Sequence, residues 1–180
     1  LLKTLVADIG GTNSRLAVAK TSKKDKEIIL RNIQKFKNSD FNNFEEVIEK
    51  YISNSDDNSI NRMCIAAAGI ISENSVEMSN LNWKITVPSL QKISNINGVL
   101  IINDLQAQGY ALDFIKPKDL EKLIEGTYSA EPTDTKLVCG MGTGFNVAIA
   151  YQTAFGTFVP ASEYGHARTT TANEKQKLIV

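Results

Sequence analysis

The residues of this chain that could do chemistry begin with a polar turn between two apolar runs. The turn separates an apolar run at 5–9 from a second one at 16–18, and it consists of Gly10, Gly11, Thr12 and Asn13. This pattern predicts a β-hairpin, and glycines at its tip could adopt positive φ, so that successive amide N–H groups converge on an anion. Thr12 adds a hydroxyl and Arg15 a positive charge, while the carboxylate of Asp8 could hold a hydrated Mg²⁺. The turn therefore indicates a phosphate site with a metal beside it, and an ordinary Gly-Gly hairpin is the alternative.

A second turn of the same kind separates strand-like runs at 136–140 and 145–151, and it consists of Gly142, Thr143 and Gly144. At the first turn, the Rossmann fingerprint and the P-loop are excluded, because both place their glycines between a strand and a helix. Here a strand follows the glycines. Two similar hairpins suggest two related lobes that face each other, and a chance echo of two glycine turns is the alternative.

A buried strand-like run at 99–102 ends at Asn103 and Asp104, just before a predicted helix over 105–112. At the carboxyl end of a strand, Asp104 could act as a general base on a hydroxyl, with Asn103 beside it to anchor a polyol. Phosphoryl transfer needs such a base next to held phosphates and a metal. The alternative is a plain helix cap, since Asn-Asp before a helix is also a capping signal.

Four further residues have side chains that suit a sugar. Glu163 lies three residues before His166, the single histidine of the chain, and the pair could contact neighbouring sugar hydroxyls. A lone histidine is nevertheless more often structural than catalytic. Asn80 and Trp83 supply an amide and a flat apolar face, and a place for Trp83 in the core is an equal alternative.

Charge and composition narrow the expected partners and compartment. The chain has 20 Lys and Arg against 20 Asp and Glu, so neither nucleic acid nor an anionic membrane surface is favoured. No apolar run reaches transmembrane length. Cys64 and Cys139 lie in separate apolar runs, which predicts buried free thiols in a reduced compartment, the cytoplasm. One histidine and no C-x-x-C pattern argue against a structural zinc site.

The predicted elements run as three antiparallel strands, then helix, strand, helix and strand. The first helix has Asp40 as its predicted cap, and its apolar face at helical spacing consists of Phe41, Phe44, Val47, Ile48 and Tyr51. Residues 70–82 predict an irregular hairpin. The alternation predicts an α/β fold, with a mixed five-stranded sheet covered by helices on both faces. In such sheets, ligands bind at the carboxyl ends of the strands.

Four motifs in this order resemble those of bacterial glucokinases: DIGGTNSRLAV at 8–18, IINDLQA at 101–107, GTG at 142–144 and EYGH at 163–166. These are hexokinase-type sugar kinases of the actin-like ATPase superfamily, and the resemblance covers about residues 4–168. It implies a ribonuclease-H-like fold, with a small α/β lobe at 1–105, the first part of a large lobe at 106–180, and Mg²⁺-ATP and sugar in the cleft between the lobes. We expect the chain to be part of a longer protein, because 171–180 is typical of an unfinished helix. The resemblance implies that parts of the sugar and adenine sites lie beyond residue 180, so we expect the chain alone to be inactive.

The resemblance implies a role for each matching position. The first phosphate motif is matched by Asp8, Gly10, Gly11, Thr12 and Asn13, the second by Gly142, Thr143 and Gly144, and the sugar ligands by Asn103, Glu163 and His166. Asp104 matches the base that deprotonates the 6-hydroxyl. Two positions depart from the family pattern, because Asn146 and Tyr164 stand where these glucokinases usually have glycine.

The implied function is ATP-dependent phosphorylation of a hexose, glucose first, at its 6-hydroxyl, giving the sugar 6-phosphate and ADP. A sugar-binding sensor that has lost catalysis is the alternative; Asp104 argues against it, while Asn146 and Tyr164 leave it open. An actin- or chaperone-like ATPase would leave the sugar-type residues unexplained. The resemblance implies ATP and Mg²⁺ as cofactors and a hexose as substrate, with no nucleic acid or membrane partner, and it leaves homodimer formation open.

Overall fold

The computed structural model of the protein describes residues 2–21, 28–54, 59–125, 135–141 and 145–162. The chain separates into two compact units, Leu1–Ala107 and Gln108–Val180. In chain order, the elements up to the boundary are β1 (Leu2–Ile9), β2 (Asn13–Thr21), β3 (Ile28–Lys37), α1 (Phe44–Ser53), β4 (Arg62–Ala67), β5 (Gly69–Ser72), β6 (Ser75–Met78), β7 (Lys84–Thr86), α2 (Val87–Ser94), β8 (Gly98–Asn103) and α3 (Asp104–Ala111), which continues past the boundary.

The first unit is built on a five-stranded sheet in the order β3-β2-β1-β4-β8. β1 is antiparallel to β2 and parallel to β4, and β4 is parallel to β8. The sequence prediction of a mixed five-stranded sheet is therefore confirmed. β5, β6 and β7 form a separate antiparallel sheet, in which β5 and β6 confirm the hairpin predicted at 70–82.

Helix α1 begins three residues later than its predicted cap implies, and its apolar face is buried as predicted. Its N-cap is Asn43, whose side chain accepts a hydrogen bond from the Glu46 amide at 3.0 Å. The predicted cap Asp40 instead ends a 3₁₀ turn, Asn38–Asp40, and Phe41 precedes the helix in extended conformation. Asp40 therefore lies three residues before the capping position. The predicted apolar face is otherwise confirmed, since its helical members are buried: Phe44, Val47, Ile48 and Tyr51.

One hydrophobic core joins the sheet to α1 and α2. Side chains alternate along a strand, and β1 buries its odd-numbered residues Leu5, Ala7 and Ile9 in this core. Trp83 belongs to the same core at 7% exposure, with its ring centroid 6.4 Å from that of Phe44. Of the two roles considered for Trp83, the core role is the one that the structure shows.

The second unit contains an antiparallel sheet with the order β11-β10-β9. Its strands are β9 (Lys136–Met141), β10 (Phe145–Thr153) and β11 (Gly156–Phe158). The first two confirm the strands predicted at 136–140 and 145–151. Asp113 ties a neighbouring 3₁₀ turn to this sheet, because it accepts hydrogen bonds from Lys136 at 2.9 Å, from Gln152 at 3.0 Å and from Thr157. These donors, Thr157 first and Lys136 next, hold the pKa of Asp113 below its ordinary value.

The prediction of two buried thiols is wrong for Cys139. Cys139 is exposed, because β9 is an edge strand of a small sheet and alternate residues of it face outward. Cys64 on β4 is half-buried, and this burial raises the pKa of its thiol. None of the helices within the described residues is long and apolar enough to cross a membrane.

Candidate active site

The turn between β1 and β2 is the predicted hairpin turn, and it lies at the carboxyl end of β1. The two strands pair from Leu2 with Thr21 to Ile9 with Ser14, and the amide of Gly10 donates to the carbonyl of Asn13 at 3.0 Å. The hairpin prediction is confirmed. Gly10, Gly11, Thr12 and Asn13 therefore lie together in one short loop of the first unit.

The reason for the glycines differs from the one predicted. Neither Gly10 nor Gly11 has positive φ; among the described glycines, only Gly156 does. A Cβ on Gly11 would instead lie 3.1 Å from the Cβ of Asn80, closer than ordinary van der Waals contact. Gly11 is thus favoured by a close approach, and this approach brings the predicted sugar contact Asn80 against the turn.

Asn38, the residue that follows β3, holds the turn at 10–13 through hydrogen bonds. Asn13 pairs with Lys37, so Asn38 lies just beyond the turn. Its backbone amide donates to the carbonyl of Thr12 at 2.9 Å, and its Nδ2 donates to the carbonyl of Gly10 at 2.8 Å. Its Oδ1 accepts from the hydroxyl of Ser14 at 2.7 Å, and both side chains are buried.

The sequence analysis missed Asn38 and Ser14. Buried polar side chains must be hydrogen-bonded, and they mark positions where the structure is tightly specified. Their signal in the sequence is weak, because Asn38 opens a run of polar residues that is typical of a solvated turn. Only the pairing of β2 with β3 places Asn38 beside the hairpin of β1 and β2.

Asp8 and Arg15 are cross-strand partners on β1 and β2, and they form an ion pair of 3.0 Å. Their side chains are 55% and 58% exposed, so the pair contributes little to stability. Asp8 lies two residues before Gly10 on the face of β1 opposite to the core. Its carboxylate is therefore accessible beside the turn.

Asn103 and Asp104 lie at the junction of β8 and α3, and they have different roles. The Oδ1 of Asn103 accepts from the amides of Leu105 at 2.9 Å and Gln106 at 3.4 Å, while the Gln106 side chain accepts from the Asn103 amide at 3.4 Å. This reciprocal pair is a capping box. Asn103 is the cap, and Asp104 is the first residue of the helix.

The carboxylate of Asp104 is thus not required to cap α3. Its Oδ1 accepts from the amide of Leu105 at 2.9 Å, and its Oδ2 makes no hydrogen bond to the described residues. The prediction that Asn103-Asp104 caps the helix is therefore correct, and Asn103 is the residue that provides the cap.

Strand register brings the turn and Asp104 to one edge of the sheet. Ile9 is level with Ala67, and Ala67 is level with Asn103. Gly10 comes one residue after Ile9, and Asp104 comes one residue after Asn103. Because β4 lies between β1 and β8 and adjacent strands are about 4.8 Å apart, the backbones of Gly10 and Asp104 are about 10 Å apart. The glycine turn at 10–13, the amide of Asn103 and the carboxylate of Asp104 therefore share one carboxyl edge.

Gly69 follows β4 at this edge and opens β5. A Cβ there would lie 2.3 Å from the carbonyl oxygen of Glu77 and 2.9 Å from a methyl of Val76. The residue is also buried. Gly69 serves tight packing against β6.

Several predicted site residues lie outside the described residues: Gly142, Thr143, Gly144, Glu163, Tyr164 and His166. Asn146, which stands where the family usually has glycine, is among the described residues and lies on β10 opposite Gly140. Its Oδ1 accepts from the amide of Val147 at 2.9 Å and its Nδ2 donates to the carbonyl of Ser162 at 3.4 Å. Asn146 therefore bonds within the second unit.

Comparison with solved structures defines the class of fold, that of the sugar kinases with the actin-like ATPase fold. A glucokinase from an Antarctic psychrotroph superposes with a TM-score of 0.83 at 28% identity, over 99% of this chain and 56% of that one. A glucokinase from Balamuthia mandrillaris, solved in complex with glucose, superposes with a TM-score of 0.68 at 22% identity, over 99% of this chain and 53% of that one.

Sequence comparison then defines the family. The glucokinase family model matches residues 5–180, and the chain belongs to the glucokinase family. The glucokinase of Caulobacter vibrioides is 33% identical over 163 residues, which are 90% of this chain and 48% of that protein. That of Saccharophagus degradans is 30% identical over 177 residues, which are 98% of this chain and 54% of that protein. The chain spans about half the length of the relatives it matches.

Proposed function

We propose that the protein containing this chain is an ATP-dependent hexose kinase, which transfers the terminal phosphoryl group of ATP to the 6-hydroxyl of a hexose and releases ADP. Glucose is the first substrate to test. Membership of the glucokinase family supports the class of reaction. The observation that carries the residue assignment is the common sheet edge, on which the phosphate-type turn and Asp104 end strands that flank β4.

Asp104 is the proposed general base. Because Asn103 caps the helix, Oδ2 of Asp104 has no hydrogen bond to the described residues and could accept the proton of a hydroxyl. As the sugar oxygen forms its bond to phosphorus, the bond from phosphorus to the ADP oxygen breaks and the proton passes to Asp104. The Nδ2 of Asn103, which likewise has no hydrogen bond to the described residues, could donate to a neighbouring hydroxyl.

The turn at 10–13 is the proposed phosphate site, with Asp8 as the residue that would hold hydrated Mg²⁺. Mg²⁺ usually keeps several waters and binds through one or two carboxylates together with substrate phosphates. A single accessible carboxylate fits this requirement. Arg15 occupies Oδ2 of Asp8, so Oδ1 is the oxygen that would accept from a metal-bound water. When bound, the ion would neutralise phosphate charge.

The remaining assignments rest on the family resemblance, except that Asn80 is proposed for its amide, and the compartment and the expected partners for the cysteine usage and charge balance of the chain. Residues 1–105 are proposed as the small lobe and 106–180 as the first part of the large lobe. The second phosphate turn would be formed by Gly142, Thr143 and Gly144, and further sugar contacts would come from Asn80, Glu163 and His166. We place the protein in the cytoplasm, where ATP is available, with no nucleic acid or membrane partner. Light scattering of the complete gene product would decide whether it is a homodimer.

The test is ADP release from Mg²⁺-ATP by the complete gene product, with and without glucose. We expect glucose-dependent release, and a loss of about 10²- to 10⁴-fold in kcat for Asp104→Asn, the usual effect of removing a general base. Asp119→Asn makes the same chemical change in an exposed 3₁₀ turn of the second unit and serves as the control. Full activity of Asp104→Asn would remove Asp104 from the mechanism. A wild-type protein that no hexose stimulates would overturn the kinase assignment.

A further inference from the structure

The geometry points to a positioning role for Asn38, which lies outside the motifs used above. Asn38 binds two carbonyls of the proposed phosphate turn, through its backbone amide to Thr12 and through its side chain to Gly10. Only 2% of Asn38 is exposed, and Ser14, which binds its side chain, is fully buried. A buried amide whose oxygen and nitrogen are each hydrogen-bonded has one favoured arrangement.

A trans peptide bond directs its carbonyl and the following N–H in opposite directions, and none of the described peptide bonds is cis. The carbonyl of Gly10 is directed at Asn38, so the N–H of Gly11 is directed away from Asn38. The same argument applies to the carbonyl of Thr12 and the N–H of Asn13. Asn38 therefore fixes the directions of two amides of the turn.

We propose that Asn38 is a positioning residue that aims the amides of Gly11 and Asn13 at a nucleotide phosphate. This inference rests on the proposed function, because it takes the turn as the phosphate site. It also explains why an uncharged turn without positive φ could bind an anion: preorganised N–H donors need no rearrangement when the anion arrives.

Ser14 sets the orientation of the Asn38 amide. Because its hydroxyl donates to Oδ1, the opposite atom, Nδ2, is the one that faces the carbonyl of Gly10. Without this hydroxyl, the amide could turn over and place Oδ1 against the Gly10 carbonyl, where two acceptors would repel each other. Ser14→Ala should therefore produce the same defect as a change of Asn38, in a weaker form.

The experiment measures ADP binding and glucose binding by calorimetry, together with thermal unfolding, on the complete gene product. Asn38→Asp keeps the shape of the side chain and the acceptor for Ser14, but it removes the donor to the Gly10 carbonyl. Ser14→Ala tests whether the Ser14 hydroxyl orients the Asn38 amide. The matched control is Ser39→Ala, because the hydroxyl of Ser39 is exposed and bonds only to its neighbour Asp40 among the described residues.

We expect Asn38→Asp to weaken ADP binding roughly tenfold, as expected for misdirected hydrogen-bond donors, with glucose binding changed by less than about twofold. Ser14→Ala should weaken ADP binding by a smaller factor, and Ser39→Ala should bind as the wild type does. The amide resonance of Gly11 should shift on ADP binding in the wild type and less in Asn38→Asp, whereas that of Asn13 should shift in both, because the backbone amide of residue 38 still binds the carbonyl of Thr12.

The outcomes separate the positioning role from a merely structural one. The inference would be overturned if the variants unfold at a lower temperature than the wild type but bind ADP equally well while folded. If Asn38→Asp does not fold, Ser14→Ala decides by the same criterion. A wild-type protein that binds ADP but phosphorylates no hexose overturns the proposed function and leaves the positioning role to be judged on ADP binding.

Discussion

Asn103 and Asp104 are adjacent polar residues at the start of α3, and the structure predicts that their substitutions affect stability differently. In Asn103→Ala, the amide of Gln106 loses its side-chain acceptor and the amide of Leu105 keeps only the Oδ1 of Asp104. Asn103 is 4% exposed, so water cannot readily replace the acceptor, and we expect a loss at the upper end of the range for N-caps, about 2 kcal/mol. Asp104→Asn keeps the shape and an acceptor, and it removes only a charge near the helix N-terminus, which contributes about 0.3–1 kcal/mol.

The assay is urea unfolding followed by circular dichroism, together with amide hydrogen exchange at Leu105 and Gln106 to report on the first turn of α3. Asn103→Asp is the control, because aspartate caps a helix about as well as asparagine does. Asn103→Ala should lower the free energy of unfolding by about 1 kcal/mol more than Asp104→Asn does. Equal losses, or faster exchange in Asp104→Asn than in Asn103→Ala, would refute the division of roles between the cap and the proposed base.

Two further predictions concern the turn and the second unit. The Cβ of Gly11→Ala would meet that of Asn80, so Asn80→Gly should relieve the effect, with a coupling of about 0.5–3 kcal/mol in a double-mutant cycle of unfolding free energies; additive effects would contradict the contact. Hydrogen bonds lower the pKa of Asp113 from its ordinary 3.8, so its contribution to stability is present above that value and is lost as pH falls through the lowered pKa. Asp113→Asn should therefore lower the urea midpoint more at pH 7 than at about pH 3, and an equal loss at both would contradict this.

The strands and the site edge could be predicted from the sequence, because they follow from local patterns. Alternation and apolar runs identify β1, β2, β4 and β8, and the carboxyl ends of parallel strands meet at one edge by geometry. The register of the parallel strands brings the polar turn at 10–13 to the same edge as Asn103 and Asp104. The helix cap was wrong at Asp40, because several nearby polar residues can cap, and only the backbone conformation decides that Asn43 does.

Asn38 could not be predicted, because its role depends on a contact between segments distant in the chain. No periodicity distinguishes an asparagine in a solvated turn from one buried beside another hairpin. The same limit applies to Gly11, whose glycine is explained by its approach to Asn80 rather than by its own φ. Sequence motifs identify the residues that would touch a ligand, whereas the residues that hold them in place become visible only in the folded chain.

The position of Asn38 also bears on how the proposed phosphate turn could tolerate sequence change. In the proposed function, the turn would bind phosphate through backbone amides, so its own side chains need only be small or short. Its shape is specified by Asn38, 25 residues after Asn13, whose backbone amide donates to the carbonyl of Thr12 and whose buried side chain donates to the carbonyl of Gly10. A substitution at Asn38 would thus alter phosphate binding while every residue of the turn stayed the same. For this reason, the turn and its buried support need to be judged together when a chain of this kind is compared with its relatives.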